Sequence, residues 1–136
     1  MNNSIKPKTI LFVDDEILVL MALKSQVKKA FGDRFRYEIA ADPEEAWEVI
    51  NDLIEEKEDI SLIISDWLMP GEKGDEFLRK VNLKFPDIHL IIISGQADEK
   101  SVEILRAELN KFNFIKKPWS EKELIDIISS ITEARN

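Results

Sequence analysis

The sequence predicts an α/β protein in which a parallel sheet is covered by helices on both faces. Five short apolar runs alternate along the 136 residues with five segments whose apolar residues follow helical spacing, and the connections between them are short. Strict alternation of this kind favours parallel strands joined by right-handed helical crossovers. We therefore expect a doubly wound sheet whose ligands bind at the carboxyl ends of the strands.

The predicted strands are the five apolar runs. The first, third and fourth runs contain the continuously apolar stretches Ile10–Val13, Leu62–Ile64 and Leu90–Ile93, which are rich in β-branched residues, as expected for strands that are covered on both faces. The second run alternates over Tyr37–Ile39, which is typical of an edge strand with one wetter face. The predicted strands are Thr9–Val13, Arg36–Ala40, Ile60–Ser65, Ile88–Ile93 and Asn113–Lys116.

The predicted helices lie in the segments that follow these runs. Asp42 precedes Pro43, which indicates a helix N-cap with proline at the first helical position. Ser120 is followed three residues later by Glu123, as in a capping box. The apolar stripes are expected to be core packing, and they comprise Leu20, Leu23, Val27 and Phe31; Ala46, Trp47, Ile50 and Ile54; Phe77, Leu78, Val81 and Phe85; Val102, Leu105 and Leu109; and Leu124, Ile127, Ile128 and Ile131.

Composition narrows the function classes. The formal net charge of −8 disfavours direct binding to nucleic acid, because an acidic surface repels phosphates. No apolar run approaches the roughly 20 residues that a membrane-spanning helix needs. The first residues, Met1–Lys8, lack the apolar segment of a signal peptide, and the chain has no cysteine. We expect a single soluble, cytoplasmic domain that does not bind membranes.

Polar groups follow four of the five predicted strands. The first strand is followed by Asp14 and Asp15, the third by Asp66, the fourth by Ser94 and Gly95, and the fifth ends in Lys116 and Lys117 before Pro118. Taken singly, these groups have ordinary explanations as turns, helix caps or solvated side chains. Together they meet at one crevice, where three carboxylates need a compensating charge. Because hard oxygen ligands suit Mg²⁺, the pattern indicates a divalent-cation site with a lysine opposite.

From about Lys8 to Thr132 the sequence resembles the receiver domains of two-component response regulators, of which the chemotaxis response regulator is the simplest relative. The resemblance implies one receiver domain over residues 1–136 with a core of about 8–132. It also implies a flavodoxin-like (βα)5 three-layer sandwich with a five-stranded parallel sheet in the order 2-1-3-4-5. The matching motifs are Phe12–Glu16, Ser65–Gly71 with Gly74 following, Ile93–Gly95 and Phe114–Trp119.

By position, the resemblance implies that Asp66 is the phosphoacceptor aspartate. The metal-binding acidic pair corresponds to Asp14 and Asp15, with Asp15 as the direct ligand of Mg²⁺ and Asp14 acting largely through water. The backbone carbonyl of Leu68 would complete the metal shell.

The same resemblance assigns the remaining site residues. Ser94 supplies the hydroxyl group that follows the phosphoryl group, where threonine is commoner in the family. Lys117, rather than Lys116, corresponds to the lysine that precedes a proline, and its bond to Pro118 is cis in the family. Phe114 is the switch aromatic, at a position where tyrosine is commoner.

The resemblance also implies the partners. A sensor histidine kinase or a histidine phosphotransfer protein would present phosphohistidine to Asp66, and the chain would catalyse only its own phosphorylation and dephosphorylation. Movement of Ser94 and Phe114 would then change the face formed by the fourth helix, fifth strand and fifth helix. A downstream effector domain or protein would read that face, which can also support a homodimer of the phosphorylated chain.

The lifetime of the phosphoryl group depends on a water in line with the phosphorus atom. The resemblance places Leu68 and Gln96 nearest to that water. Leu68 is apolar, so it cannot hydrogen-bond a water and can partly cover its approach. Gln96 could orient a water, but its side chain could equally lie in solvent. On balance we expect a longer lifetime than in fast chemotaxis-type regulators. The tryptophan that follows the Lys-Pro pair, Trp119, is a feature in which the chain resembles receivers attached to signalling enzymes such as HD-type cyclic-dinucleotide phosphodiesterases.

Two other classes of protein share parts of this pattern. A phosphatase or phosphotransferase that forms an aspartyl phosphate usually needs a second carboxylate near the nucleophile, but Leu68 stands two residues after Asp66. A flavodoxin-like nucleotide binder needs a loop rich in Gly, Ser or Thr after the first strand. Asp14 and Asp15 occupy that loop and would repel a phosphate in the absence of a metal.

Overall fold

The computed structural model describes residues 6–67, 74–95 and 97–133. Two residues with predicted roles, Leu68 and Gln96, lie outside these ranges. Within them, five strands pair in parallel in the order β2-β1-β3-β4-β5. The strands are β1 (Lys8–Val13), β2 (Phe35–Ala40), β3 (Ile60–Ser65), β4 (His89–Ser94) and β5 (Phe112–Lys116). The predicted doubly wound topology is therefore confirmed, with strand ends that shift by at most one residue.

Helices follow each strand in the described part of the chain. They are α1 (Ile17–Phe31), α2 (Pro43–Glu55), α3 (Gly74–Lys84), α4 (Glu99–Glu108) and α5 (Glu121–Glu133), and a single 3-10 turn, Gly32–Arg34, follows α1. None of the described helices is both long and apolar enough to cross a membrane.

The two faces of the sheet carry separate hydrophobic clusters. Successive residues of a strand point to opposite faces, so Leu11 packs with residues of α2, α3 and α4. Its neighbour Phe12 packs with residues of α1 and α5. The strands β1, β3 and β4 are buried almost throughout, as their continuous apolar runs predict. β2 is an edge strand, as predicted, although Phe35–Ile39 are all half-buried and show no alternation.

Two predicted helix caps are present. The Asp42 side chain accepts a hydrogen bond from the Glu45 backbone N–H at 2.8 Å, with Pro43 in the first turn of α2. The Ser120 hydroxyl accepts from the Glu123 backbone N–H at 2.9 Å. α4 begins differently, because Asp98 rather than Ser94 accepts the hydrogen bond at its N-terminus.

The prediction of one core residue, Ile54, is wrong. Ile54 is 45% exposed, whereas Leu53 is only 3% exposed and belongs to the buried stripe of α2. The stripe follows Ala46, Ile50 and Leu53, which puts Ile54 one step further around the helix. There it lines an open cleft near the amino ends of the strands.

This difference between neighbours gives a test of the packing. We expect Leu53→Ala to lower the free energy of unfolding by about 2–4 kcal/mol, because it leaves a cavity in the core. Ile54→Ala should lower it by less than about 1 kcal/mol, because much of that side chain is already in water. Both variants place alanine near the end of the same helix, so helix propensity affects them similarly. Equal losses in urea unfolding would contradict the assignment of Leu53 to the core.

Candidate functional site

Backbone pairing continues one residue beyond the strand ends, and this pairing sets the backbone positions of the candidate site residues. In the sheet, Val13 of β1 lies opposite Ser65 of β3, so the next residues, Asp14 and Asp66, are neighbours. The Asp66 N–H donates to the Val13 carbonyl at 3.0 Å, and the Asp14 N–H donates to the Ala40 carbonyl at 3.1 Å. The backbone therefore places both carboxylates at the carboxyl edge of the sheet before any side-chain contact is made.

Lys117 is held at the same edge from β5. Its N–H donates to the Ser94 carbonyl at 3.1 Å, which continues the pairing of β4 with β5 by one residue. The bond from Lys117 to Pro118 is cis. Lys116, by contrast, is exposed and lies beside a cavity between α4 and β5.

Four carboxylates converge at this edge. One oxygen each from Asp14, Asp15, Glu16 and Asp66 lies within 4.8 Å of the others. Asp14 and Asp66 are 2% and 8% exposed, while Asp15 and Glu16 are exposed. Glu16 belongs to the motif Phe12–Glu16, but no role in the site was predicted for it. Its place immediately after two acidic residues at a strand end was the available signal.

The Lys117 ammonium group lies between the two buried carboxylates. Its Nζ atom is 3.2 Å from Asp14 Oδ2 and 3.5 Å from Asp66 Oδ2, and 4.0 Å from Glu16 Oε1. The other oxygen of each buried carboxylate accepts a backbone hydrogen bond. Glu16 N–H donates to Asp14 Oδ1 at 2.8 Å, and Trp67 N–H donates to Asp66 Oδ1 at 2.7 Å. Each buried carboxylate thus faces the lysine through one oxygen and the backbone through the other.

Burial and like charge govern the ionisation of this cluster. Burial raises the pKa of Asp66 above its ordinary value, and the negative charge of Asp14 raises it further, against the opposing effects of Lys117 and of the Trp67 N–H. Burial by itself would lower the pKa of Lys117, but the charges of Asp14 and Asp66 outweigh it and the pKa is raised. The lysine is therefore a permanent cation, and the site still carries an excess of negative charge.

The donor set fits a hard divalent cation. Carboxylate oxygens are the ligands that Mg²⁺ and Ca²⁺ prefer, and one cation in this position would reduce the repulsion that raises the pKa of Asp66. The neighbouring oxygens of Asp14, Asp15 and Asp66 already lie close enough to share one ion. Leu68, whose carbonyl was predicted to complete the shell, lies outside the described residues.

Ser94 and Phe114 lie on the α4 side of this cluster. Ser94 is the last residue of β4 and is 1% exposed. Phe114 is half-buried in β5 and packs against the core cluster beneath α2, α3 and α4. Both residues line a cavity of about 360 Å³ between α4 and β5, together with Val102. The structure thus brings the predicted switch residues to one cavity next to the carboxylates.

Comparison with known proteins identifies the family of this chain. The response regulator receiver domain family matches residues 10–129, which is most of the chain. The chain is 32% identical over 130 residues to the hydrogenase transcriptional regulatory protein HoxA of Cupriavidus necator, covering 96% of this chain and 25% of HoxA. It is 28% identical to a chemotaxis protein CheY homolog of Campylobacter jejuni, covering 90% of each. The chain thus spans about a quarter of HoxA but nearly all of the CheY homolog.

Solved structures agree. A CheY-like receiver domain protein from Methanospirillum hungatei superposes with a TM-score of 0.76 at 29% identity, covering 95% of this chain and 97% of that one. The receiver domain of an HD domain-containing protein from Pseudomonas fluorescens shares the fold with a TM-score of 0.81 at 21% identity, covering 94% and 96%. With its flavodoxin-like fold, the chain belongs to the response regulator receiver domain family of two-component signalling.

Proposed function

We propose that Asp66 accepts a phosphoryl group from the phosphohistidine of a sensor histidine kinase or a histidine phosphotransfer protein. The observation that supports this most directly is the Lys117 ammonium group, which lies 3.5 Å from Asp66 Oδ2 and 3.2 Å from Asp14 Oδ2 at the carboxyl edge of the sheet. A nucleophilic carboxylate, a fixed cation and further acidic ligands are the parts that phosphoryl transfer to an aspartate requires.

The reaction exchanges one bond to phosphorus for another. An Asp66 carboxylate oxygen bonds to phosphorus while the bond between phosphorus and the histidine nitrogen breaks, and the electron pair returns to the imidazole. The Trp67 N–H, 2.7 Å from Asp66 Oδ1, fixes the orientation of the carboxylate. Lys117 lies near enough to Asp66 to stabilise the negative charge on the transferred oxygens.

Asp14, Asp15 and Asp66 are the side chains that would hold Mg²⁺. When bound, Mg²⁺ supplies charge neutralisation for the carboxylates and the phosphoryl oxygens. Asp15 is exposed, while both oxygens of Asp14 already have partners in Glu16 N–H and Lys117. This difference supports Asp15 as the direct ligand and Asp14 as the residue that orients Lys117 and acts through water.

The output would pass through the cavity between α4 and β5. Ser94 is the last residue of β4 and lines this cavity, and its hydroxyl could donate to a phosphoryl oxygen once it turned toward Asp66. The cavity of about 360 Å³ has room for the Phe114 ring, since about 150 Å³ is enough to admit benzene. Inward movement of Phe114 would reshape the α4-β5-α5 face, which a downstream effector or a second copy would read.

The relatives are consistent with this role. HoxA is a transcriptional regulatory protein, and a further relative at 31% identity over 128 residues is the sensor kinase CckA of Brucella abortus, of which this chain spans 13%. This chain is therefore similar to segments of much longer proteins. For this chain, we propose a kinase or phosphotransfer partner on the input side and an effector on the output side.

The first test concerns the phosphoacceptor. With Mg²⁺ and acetyl phosphate, the wild-type chain should gain the mass of one phosphoryl group, and beryllofluoride should bind in its place. Asp66→Asn should do neither, because an amide cannot form the acyl phosphate. Asp52→Asn on the exposed face of α2 is the matched control and should behave as wild type. Peptide mapping that places the phosphoryl group on another residue would refute the assignment.

The second test concerns the metal ligands. Asp15→Asn should raise the Kd for Mg²⁺ about tenfold or more, which is about 1.4 kcal/mol, because a direct ligand is lost. Asp14→Asn should raise it less, since Asp14 acts through water and Lys117. Titration calorimetry measures both constants, with Asp33→Asn as a remote control. Equal affinity of Asp15→Asn and wild type for Mg²⁺ would exclude Asp15 as a ligand.

The third test separates chemistry from output. Phe114→Ala should leave the rate of phosphorylation within about twofold of wild type, a change of less than about 0.5 kcal/mol, because the ring packs against the core cluster and lines the cavity between α4 and β5. It should shrink the beryllofluoride-induced shifts of backbone NMR signals in α4 and β5, since the cavity would lose the ring that fills it. Phe112→Ala on the same strand is the control for general packing loss. Shift changes identical to wild type in Phe114→Ala would show that the ring is only part of the core.

A further inference from the structure

A hydrogen bond outside the site links the segment after Lys117 to helix α1. The indole Nε1–H of Trp119 donates to the side-chain oxygen of Gln26, on α1, at 2.8 Å. Because an indole nitrogen only donates, the amide of Gln26 must present its oxygen. The two residues are 93 positions apart in sequence, so this bond joins α1 to the connection between β5 and α5.

The connection that carries Lys117 is held at several points. Its start is fixed by the hydrogen bond from Lys117 N–H to the Ser94 carbonyl, and its end by the Ser120 cap of α5. Between them, the Trp119 ring packs against the cluster beneath α1 and α5. The Gln26 bond adds a directional contact to this packing, which by itself would allow the ring to rotate or slide.

The position of this connection matters because of Lys117. Its Nζ atom sits within 3.2 to 3.5 Å of one oxygen on each of Asp14 and Asp66, so a small displacement of its backbone would weaken one contact or the other. Placing a charged group with such accuracy is worth a large factor in rate, since a misplacement of about 1 Å can cost about a hundredfold. The Lys117 side chain is long and flexible, so the position of its backbone sets how far its ammonium group reaches.

We propose that Trp119 and Gln26 are positioning residues for the phosphoryl-transfer reaction, in which their hydrogen bond holds the Lys117 backbone where its ammonium group reaches both Asp14 and Asp66. This inference rests on the proposed function of Asp66. It assigns to the α1 helix a role in the geometry of a lysine that follows β5. The two residues act through Lys117 and do not touch the phosphoryl group.

The test compares variants that remove or keep the hydrogen bond at nearly constant size. Gln26→Met keeps the length of the side chain but has no oxygen, and Trp119→Phe keeps an aromatic ring but has no N–H. Gln26→Glu keeps an acceptor and serves as the rescue variant. Trp47→Phe, in the other core cluster, controls for the loss of any tryptophan. Each is phosphorylated with acetyl phosphate at saturating Mg²⁺, and the maximal rate is measured separately from the half-saturating donor concentration.

We expect Gln26→Met and Trp119→Phe to lower the maximal rate three- to tenfold, and Gln26→Glu and Trp47→Phe to stay within twofold of wild type. The double variant Gln26→Met/Trp119→Phe should be no slower than either single variant, because both remove the same bond. The backbone amide NMR signal of Lys117 should shift in Gln26→Met and return toward wild type in Gln26→Glu. Urea unfolding in parallel identifies any loss that is only structural.

Two results would overturn the positioning role. One is a maximal rate in Gln26→Met equal to that of wild type, and the other is a Gln26→Glu variant as slow as Gln26→Met. If the wild-type chain gains no phosphoryl group on Asp66, the proposed function fails on its own. The Lys117 amide signal then decides the present inference, because an unchanged signal in Gln26→Met would show that the bond does not position this residue.

Discussion

The ion pairs of Lys117 with Asp14 and Asp66 are the interaction on which the site depends. Two carboxylates that are 2% and 8% exposed lie side by side, and neither burial nor their mutual repulsion favours the charged form. One ammonium group faces both, while backbone N–H groups take their remaining oxygens. The cluster is therefore satisfied in hydrogen bonds but is left with excess negative charge.

The raised pKa of Asp66 sets the direction in which folding stability changes with pH. The pKa of Asp66 is raised in the folded chain, chiefly by burial and then by Asp14, so the folded state holds the proton more tightly than the unfolded state. The contribution of this group to stability is complete below the unfolded pKa and is lost as the pH rises through the raised value. At neutral pH the ionised Asp66 carboxylate thus contributes unfavourably to folding stability. A cation bound among Asp14, Asp15 and Asp66 would reduce that unfavourable contribution, so cation binding would be coupled to folding at this edge.

Much of this arrangement is predictable because it follows from backbone topology. Parallel strands bring their carboxyl ends to one edge, and Asp14 and Asp66 each come directly after a predicted strand, so their proximity needs no knowledge of side-chain packing. The Asp42 and Ser120 caps are equally local. The prediction that Ile54 lies in the core was wrong because an apolar stripe along a helix has two edges. Whether Leu53 or Ile54 faces the core depends on the orientation of α2 about its own axis against the sheet. Spacing alone does not fix that orientation.

Contacts between distant side chains could not be predicted in this way. Gln26 and Trp119 are both ordinary residues in their own segments, and only the packing of α1 beside the connection to α5 brings them to 2.8 Å. The cavity between α4 and β5 is likewise a space that no sequence pattern encodes. Both features depend on how helices settle on the sheet, which is a collective result of core volumes rather than of any local motif.

Under the proposed function, the charge balance of the site favours a response to phosphorylation at Ser94. Conversion of an ionised Asp66 to its acyl phosphate replaces one negative charge by about two. Lys117 already faces Asp14 and Asp66, and the backbone N–H of Trp67 already donates to Asp66, so these groups have their contacts before phosphorylation.

The new phosphoryl oxygens would therefore need a further hydrogen-bond donor, and Ser94 lies at the end of the neighbouring strand, where β4 meets the cavity lined by Phe114. A movement of that hydroxyl toward Asp66 would open space on the α4 side of the strand, where Phe114 lines the cavity. In the proposed mechanism, the need to compensate one added charge at the sheet edge would thus become a change in packing between α4 and β5.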